Sequence, residues 1–141
     1  MRFASNLDPA AVFEDLFAKH GWKDSWRDSI YPYNHFHTGT HEVLGIARGT
    51  ASVRFGGGKG RVIDVKAGDA IVIPAGTGHR RLVKSKDLLV VGAYPRSGKY
   101  DEPRPAEVDH DEAVAKIAKV RLPQTDPVYG VLGPLKSLWR R

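Results

Sequence analysis

Hydrophobic positions along the chain change their period twice. Between Asp8 and His20 they recur at three- and four-residue spacing, with Phe13, Leu16, Phe17 and His20 on one stripe, as on the buried face of a helix. Asp8 can cap that helix, Pro9 suits its first position, and Gly21 stands where a left-handed residue ends one. The pattern predicts a helix over about 9–20, packed on the outside of the main body. From Tyr31 to Tyr94 the period becomes that of strands. Val43–Arg48, Ala51–Phe55, Arg61–Val65, Ala70–Ile73, Arg80–Lys84 and Leu88–Tyr94 are strand-length runs, separated by Gly49, the Gly56-Gly57-Gly58 cluster, Gly68 and Gly76. Short strands at this spacing predict an antiparallel sandwich or barrel.

Beyond Tyr94 the composition shifts to Pro95, Pro103 and Pro105 among charges, a linker-like stretch that opens a C-terminal arm and helix over about 95–141. Asp109 and Glu112 then form a capping box for a helix over Asp111–Val120, with Val114, Ile117 and Ala118 as its apolar side. The tail holds Leu132, Leu135, Leu138 and Trp139 and is too apolar to stay unstructured. Docking against the β body, or across its mouth, is its natural use. No internal repeat is visible.

Length and composition narrow the picture. At 141 residues and 41% hydrophobic, the chain fits one domain, 1–141, with a single core. Without cysteine it has neither disulfides nor a thiolate site. Asp8, Glu14 and Asp15 interrupt any apolar leader near the start, and no window reaches the length of a membrane span, so a soluble, cytoplasmic protein is expected, with no membrane partner. The formal charge is +6, yet the basic residues are spread, with the Arg140-Arg141 pair at the very end. A spread charge argues against nucleic acid and for a small, anionic molecule as partner. The Gly56–Gly60 stretch matches no phosphate-loop pattern and reads as a hairpin tip.

The chemistry concentrates in His35-Phe36-His37-Thr38-Gly39-Thr40-His41-Glu42 and Pro74-Ala75-Gly76-Thr77-Gly78-His79. His35 and His37 are two apart, so on a strand both imidazoles leave one face. Glu42 follows a turn-rich gap and His79 arrives from a distant strand. Imidazoles with one carboxylate suit a borderline divalent transition metal (Fe, Mn, Ni, Cu, Co or Zn), one per chain, better than Ca or Mg. His20 and His110 read as ordinary helix or surface residues.

These residues resemble a known family. His35-x-His37-x4-Glu42-x6-Gly49 is similar to the first cupin motif, and Gly68-x5-Pro74-x-Gly76-x2-His79 to the second. Ser29 and Val83 depart from the motifs' usual opening glycine and closing asparagine, outside the ligand positions. The run from His35 to Gly45, the run Ile73–His79 and the tail Asp126-Pro-Val-Tyr-Gly130 resemble, more narrowly, the uncharacterised YjlB-like group of small bacterial cupins. The resemblance implies a mainly β fold, a single cupin-type antiparallel barrel (jelly roll) with its core over about 31–94, an N-terminal helix, and a C-terminal helix and tail. It implies metal ligands at His35, His37, Glu42 and His79. The six-residue gap to Gly49 favours Glu42 as the carboxylate ligand, with His41 as the alternative under a shorter motif count.

Alternation carries the pocket further. Tyr33 lies two before His35, Leu44 and Ile46 follow Glu42, and Arg81 and Val83 follow His79, all placed inward. Arg81 can take a substrate carboxylate or phosphate, or pair with an acidic side chain at a barrel end. Tyr33 is a candidate for substrate binding and acid–base work beside Glu42, against plain core packing. The resemblance to three-His/one-Glu cupins implies a dioxygenase-like metalloenzyme acting on a small molecule. The alternatives are a metal-dependent isomerase or lyase and a non-catalytic ligand-binding or sensing cupin. Leftover apolar surface on the first helix and tail, with the pairing habit of cupins, implies a homodimer.

Overall fold

Asp8 accepts a hydrogen bond from the Ala10 amide, Pro9 occupies the first turn, and Gly21 takes φ 82° just past the end of the helix they delimit. That helix, α1 (Pro9–Lys19), opens a computed structural model that describes residues 6–95, 109–131 and 133–139. Seven strands follow: β1 (Trp22–Asp28), β2 (Glu42–Arg48), β3 (Thr50–Phe55), β4 (Arg61–Lys66), β5 (Ala70–Ile73), β6 (His79–Lys84) and β7 (Leu89–Pro95). Two short helices close the described chain, α2 (His110–Ala118) and α3 (Leu135–Leu138). The arm with Pro103 and Pro105, Leu132 and the Arg140-Arg141 pair lie outside the described residues. No helix among them is long and apolar enough to cross a membrane.

The fold is mainly β, with two antiparallel sheets. One has four strands in the order β1-β7-β2-β5, the other three in the order β4-β3-β6. A single 3-10 turn, Gly57–Lys59, joins β3 to β4 as the expected hairpin tip. The segment before β2 reaches across to the smaller sheet: the Arg81 amide donates to the Tyr31 carbonyl, and His35 and His79 exchange backbone bonds at 3.3 and 2.9 Å.

β2 and β7 are buried on both faces, and parity sorts their side chains. Val43, Ala47, Val91 and Ala93 face α1, where they join Phe13, Phe17, Trp22 and Leu135. Leu44, Ile46 and Val90 face the space between the sheets, with Ile30, Val53, Val65 and Ile73. Gly45 lets the helix approach, since a Cβ there would lie 2.6 Å from the Phe13 ring. Arg27 on β1 ties down the same helix through a two-pronged bond to Glu14, at 3.1 and 2.6 Å.

Three expectations need correction. β1 has no counterpart in the hydrophobic pattern, because its alternation is broken: Lys23 pairs with Tyr94 and Trp26 with Gly92, so one extra residue bulges out, and Asp24 takes φ 55°. That bulge turns Trp22 toward α1 and Trp26 toward the interior. Val83 is not inward but 65% exposed, since a second bulge pairs Val53 with Arg81 and Ser52 with Val83, and parity flips beyond Arg81. In α2, residue Ala113 is buried and Val114 is exposed, so the packed face is Ala113 with half-buried Ile117. The tail is docked: Leu135 sits in the core and Trp139 packs against it.

Candidate metal centre

Glu42 opens β2 and His79 opens β6, so the two strand starts bring them together between the sheets. His37 arrives from the preceding loop rather than from a strand. His35 forms only an isolated bridge to His79, so loop geometry, not strand alternation, places the first two imidazoles. All four side chains are buried.

His37, Glu42 and His79 each offer a ligand atom, and these atoms lie within 4.8 Å of one another. Glu42 Oε1 stands 3.1 Å from His37 Nε2 and 3.4 Å from His79 Nε2. His79 Nδ1 donates to the Thr77 carbonyl at 3.2 Å, which turns its Nε2 toward the carboxylate. His35 Nδ1 donates in the same way to the Tyr33 carbonyl at 3.2 Å. A ring nitrogen tied to a backbone carbonyl is the usual way to orient a metal-binding imidazole. Nitrogen and carboxylate donors, buried and convergent, therefore fit a borderline divalent metal. His35 lies beside this group, its ring centroid 3.9 Å from that of His79 and 6.1 Å from that of His37.

Electrostatics prepare the donors. Burial pushes the Glu42 carboxyl up, but hydrogen bonds and charge from His37 and His79 outweigh it and hold the pKa at about 2. The side chain is thus a carboxylate at neutral pH. Burial, aided by the charges of His79 and His37, lowers His35 from 6.5 to about 4, against the Tyr33 carbonyl bond that favours its proton. His35 is accordingly neutral at neutral pH and keeps an electron pair for a metal.

His41 is committed elsewhere. Its Nδ1 accepts from the Ala75 amide at 2.8 Å, which puts the proton on Nε2, and that nitrogen donates to the Arg121 carbonyl at 2.9 Å. Its ring meets the Trp139 edge at 4.9 Å. One residue before Glu42, His41 faces the other way and joins the turn before β6 to the C-terminal segment. Ile117 of α2 rests on the same turn, 2.8 Å from where a Gly76 Cβ would be.

A cavity of about 240 Å³ opens beside Glu42 and His79. Leu44 and His35 line it as their inward placement implies; Tyr33 and Arg81 are not in its wall. Tyr33 stacks on Tyr31 at 5.0 Å, and Arg81 Nε donates to the Ile30 carbonyl at 2.9 Å, bracing the loop that carries the histidines. In their place stand Trp26 and Tyr31. Tyr31 was within reach of sequence reasoning, four residues before His35. Trp26 was hidden by the β1 bulge.

The chain is similar to known proteins in sequence and, at low identity, in structure. A family model described as "Cupin domain" matches residues 29–91. A curated relative from Bacillus subtilis (strain 168), "Uncharacterized protein YjlB", is 42% identical over 137 residues, covering 97% of this chain and 83% of the relative. Among solved structures, an acireductone dioxygenase from Bacillus anthracis with a cadmium ion in its active centre matches at 20% identity, covering 63% of this chain and 61% of that one, with a TM-score of 0.44. The QdtA 3,4-ketoisomerase from Thermoanaerobacterium thermosaccharolyticum matches at 16% identity, covering 70% and 74%, with a TM-score of 0.49.

Proposed function

Because this chain belongs to the cupin superfamily, in its YjlB-like group, we propose that it is a small-molecule metalloenzyme of dioxygenase-like type. One divalent transition metal is held by His37, Glu42 and His79, with His35 as the fourth ligand. The observation that carries the reading is the convergence of three buried ligand atoms within 4.8 Å beside an open cavity. Bound there, a metal of this class supplies a Lewis acid for a coordinated substrate oxygen and, if redox-active, a place for oxygen to meet substrate.

The chain's own residues do the rest. Glu42, ionised at neutral pH, contributes negative charge to the centre; its low pKa suits ligation better than general-base work. The Tyr33 and Thr77 carbonyls aim the His35 and His79 rings. Tyr33 and Arg81 act through the loop they brace. The substrate is a small molecule that enters from the Trp26 and Tyr31 side of the cavity. The working form is a homodimer, a reading supported by Val62 and Val83, which remain exposed on the smaller sheet.

Elemental analysis of protein purified without chelator or histidine tag tests the centre. About one transition metal per chain is expected, and His79→Ala should retain less than about a tenth of it, a loss at the upper end of that seen on disturbing ligand support. Full metal content in the variant would sink the reading. Oxygen uptake with a panel of diols, enediols and hydroxy acids then separates an oxygenase from an isomerase or lyase; saturable binding without turnover replaces the enzyme by a ligand-binding module.

A further inference from the structure

The wall of the cavity beside Glu42 carries an unusual charge balance for a basic protein. Two carboxylates line it, Glu42 and Asp28, and Arg27 is the one cation among the described lining residues. Parity on β1 places Arg27 on the outer face, opposite Val91. Its guanidinium is engaged there by Glu14, at 3.1 and 2.6 Å, and by Asp8 at 3.5 Å. Asp28, two residues after Trp26, lies on the inner face. An anionic group on a ligand, once past the metal, therefore meets a carboxylate and no uncommitted cation.

The apolar part of the wall is rigid and flat. Trp26 Nε1 donates to the Tyr94 hydroxyl at 2.9 Å, and its indole lies over Gly92, where a Cβ would come within 2.1 Å of it. Tyr94 in turn meets His37 edge-on at 5.6 Å, so the indole is positioned relative to the metal group. Ile30 and Leu44 complete that side, both buried. Ser29 is also in the wall, and its buried Oγ has no hydrogen-bond partner, so it adds an uncharged donor and acceptor but no positive charge. The cavity volume equals that of roughly eight waters in the liquid, room for a ligand of about ten non-hydrogen atoms.

We propose that this cavity selects a small uncharged ligand with a planar flank, packed against Trp26, and rejects one whose flank carries an anion. The proposal rests on the metal reading and adds the class of ligand to it. Arg27 serves the helix and not the substrate, and Asp28 is the residue that discriminates by charge. The sequence's overall positive charge is no guide to the ligand, because none of it faces this space uncommitted among the described residues.

Four hydroxamates with one chelating head and different flanks test this: acetohydroxamate, benzohydroxamate, para-carboxybenzohydroxamate and para-carbamoylbenzohydroxamate. Each is titrated by calorimetry into the metal-loaded protein, and metal content is remeasured afterwards. Benzohydroxamate should bind about tenfold more tightly than acetohydroxamate, as expected for one aromatic contact on an indole. The carboxylated compound should bind about tenfold more weakly than para-carbamoylbenzohydroxamate, an uncharged flank of the same size titrated beside it, and Asp28→Asn should recover several-fold of that loss. Trp26→Leu should remove the preference for the phenyl flank, read as the ratio of benzohydroxamate to acetohydroxamate affinity in variant protein of measured metal content. Equal affinities for all four compounds, or tighter binding of the carboxylated one, overturn the proposal while the metal reading stands. Protein that holds no metal overturns both. Should the Trp26 variant fail to fold, the native comparison and the exposed Asp28 variant still decide.

Discussion

Glu42 and His35 are both buried beside the cavity and both deprotonated at neutral pH, yet one is charged and the other neutral, and a different influence wins in each. For His35 burial wins, and the ring stays neutral down to about pH 4 against an ordinary 6.5. For Glu42 the imidazole bonds win, and the carboxyl stays ionised to about pH 2 against 4.5. The linkage follows with a definite sign. As pH falls from 6.5 toward 4, the unfolded chain takes up a proton at His35 that the folded chain refuses, so stability drops. Below 4.5 the contribution of ionised Glu42 is lost in turn, down to about pH 2. Urea titration of chelator-treated protein should therefore show a midpoint that declines steadily between about pH 7 and pH 4. A flat midpoint across that range would mean that His35 protonates freely in the folded protein. At this scale the sequence was informative: spacing, with the resemblance to the cupin motifs, singled out His35, His37, Glu42 and His79 and kept His41 as the alternative to Glu42. It could not decide His41, because that depended on the Ala75 amide and the Arg121 carbonyl, from segments far along the chain.

Among elements, the Asp126–Gly130 turn shows how one side chain can organise a tail. Asp126 is buried and accepts from the amides of Val128, Tyr129 and Leu135 at 2.8, 3.0 and 3.3 Å. Around it, Thr125 and Pro127 carbonyls take bonds from Trp22 Nε1 and His20 Nδ1, so a histidine that reads as ordinary in sequence joins α1 to the tail. Asp126→Ala strands buried amides and should cost about 1–3 kcal/mol. Thermal melting measures the loss, and limited proteolysis should find the tail cut first. A variant that melts like the parent would show that the turn holds without its carboxylate. α1 and most strands were legible, since caps, glycines and apolar runs are local signals. β1 was not, for the bulge at Asp24 destroys the period that would have announced it.

For the whole molecule, α1 covers the outer face of the larger sheet, while the outer face of the smaller sheet keeps Val62 and Val83 in solvent, 47% and 65% exposed. β4, at the edge of that sheet, pairs only with β3 among the described strands. Exposed apolar side chains beside a strand edge favour association. Light scattering at micromolar concentration should give about twice the 15.5 kDa chain mass, from an interface of at least about 1,000 Å². Val83→Lys, on the surface, should shift the protein toward monomer, and its melting point should fall only by what the lost association accounts for. A monomer in the parent protein would remove the dimer and leave the metal centre untouched. The first helix and tail, read from sequence as the spare apolar surface, divide: Phe13, Phe17 and Leu135 are buried together, while Leu138, Tyr129 and Val131 stay exposed.

By itself the sequence determined the class of fold, the helix that precedes the strands, the motif residues and the kind of metal their donors suit. Those properties reside in local spacing and in the chemistry of side chains, and both survive without knowledge of the third dimension. Tertiary structure alone decided that His41 braces the tail, that Arg27 and Arg81 are occupied by their own protein, and that Trp26 forms the cavity wall. Each of these turns on a bulge, a backbone carbonyl or a partner distant in the chain. A one-residue shift in strand register exchanges the inner and outer faces, and no count of spacing across a bulge can anticipate it.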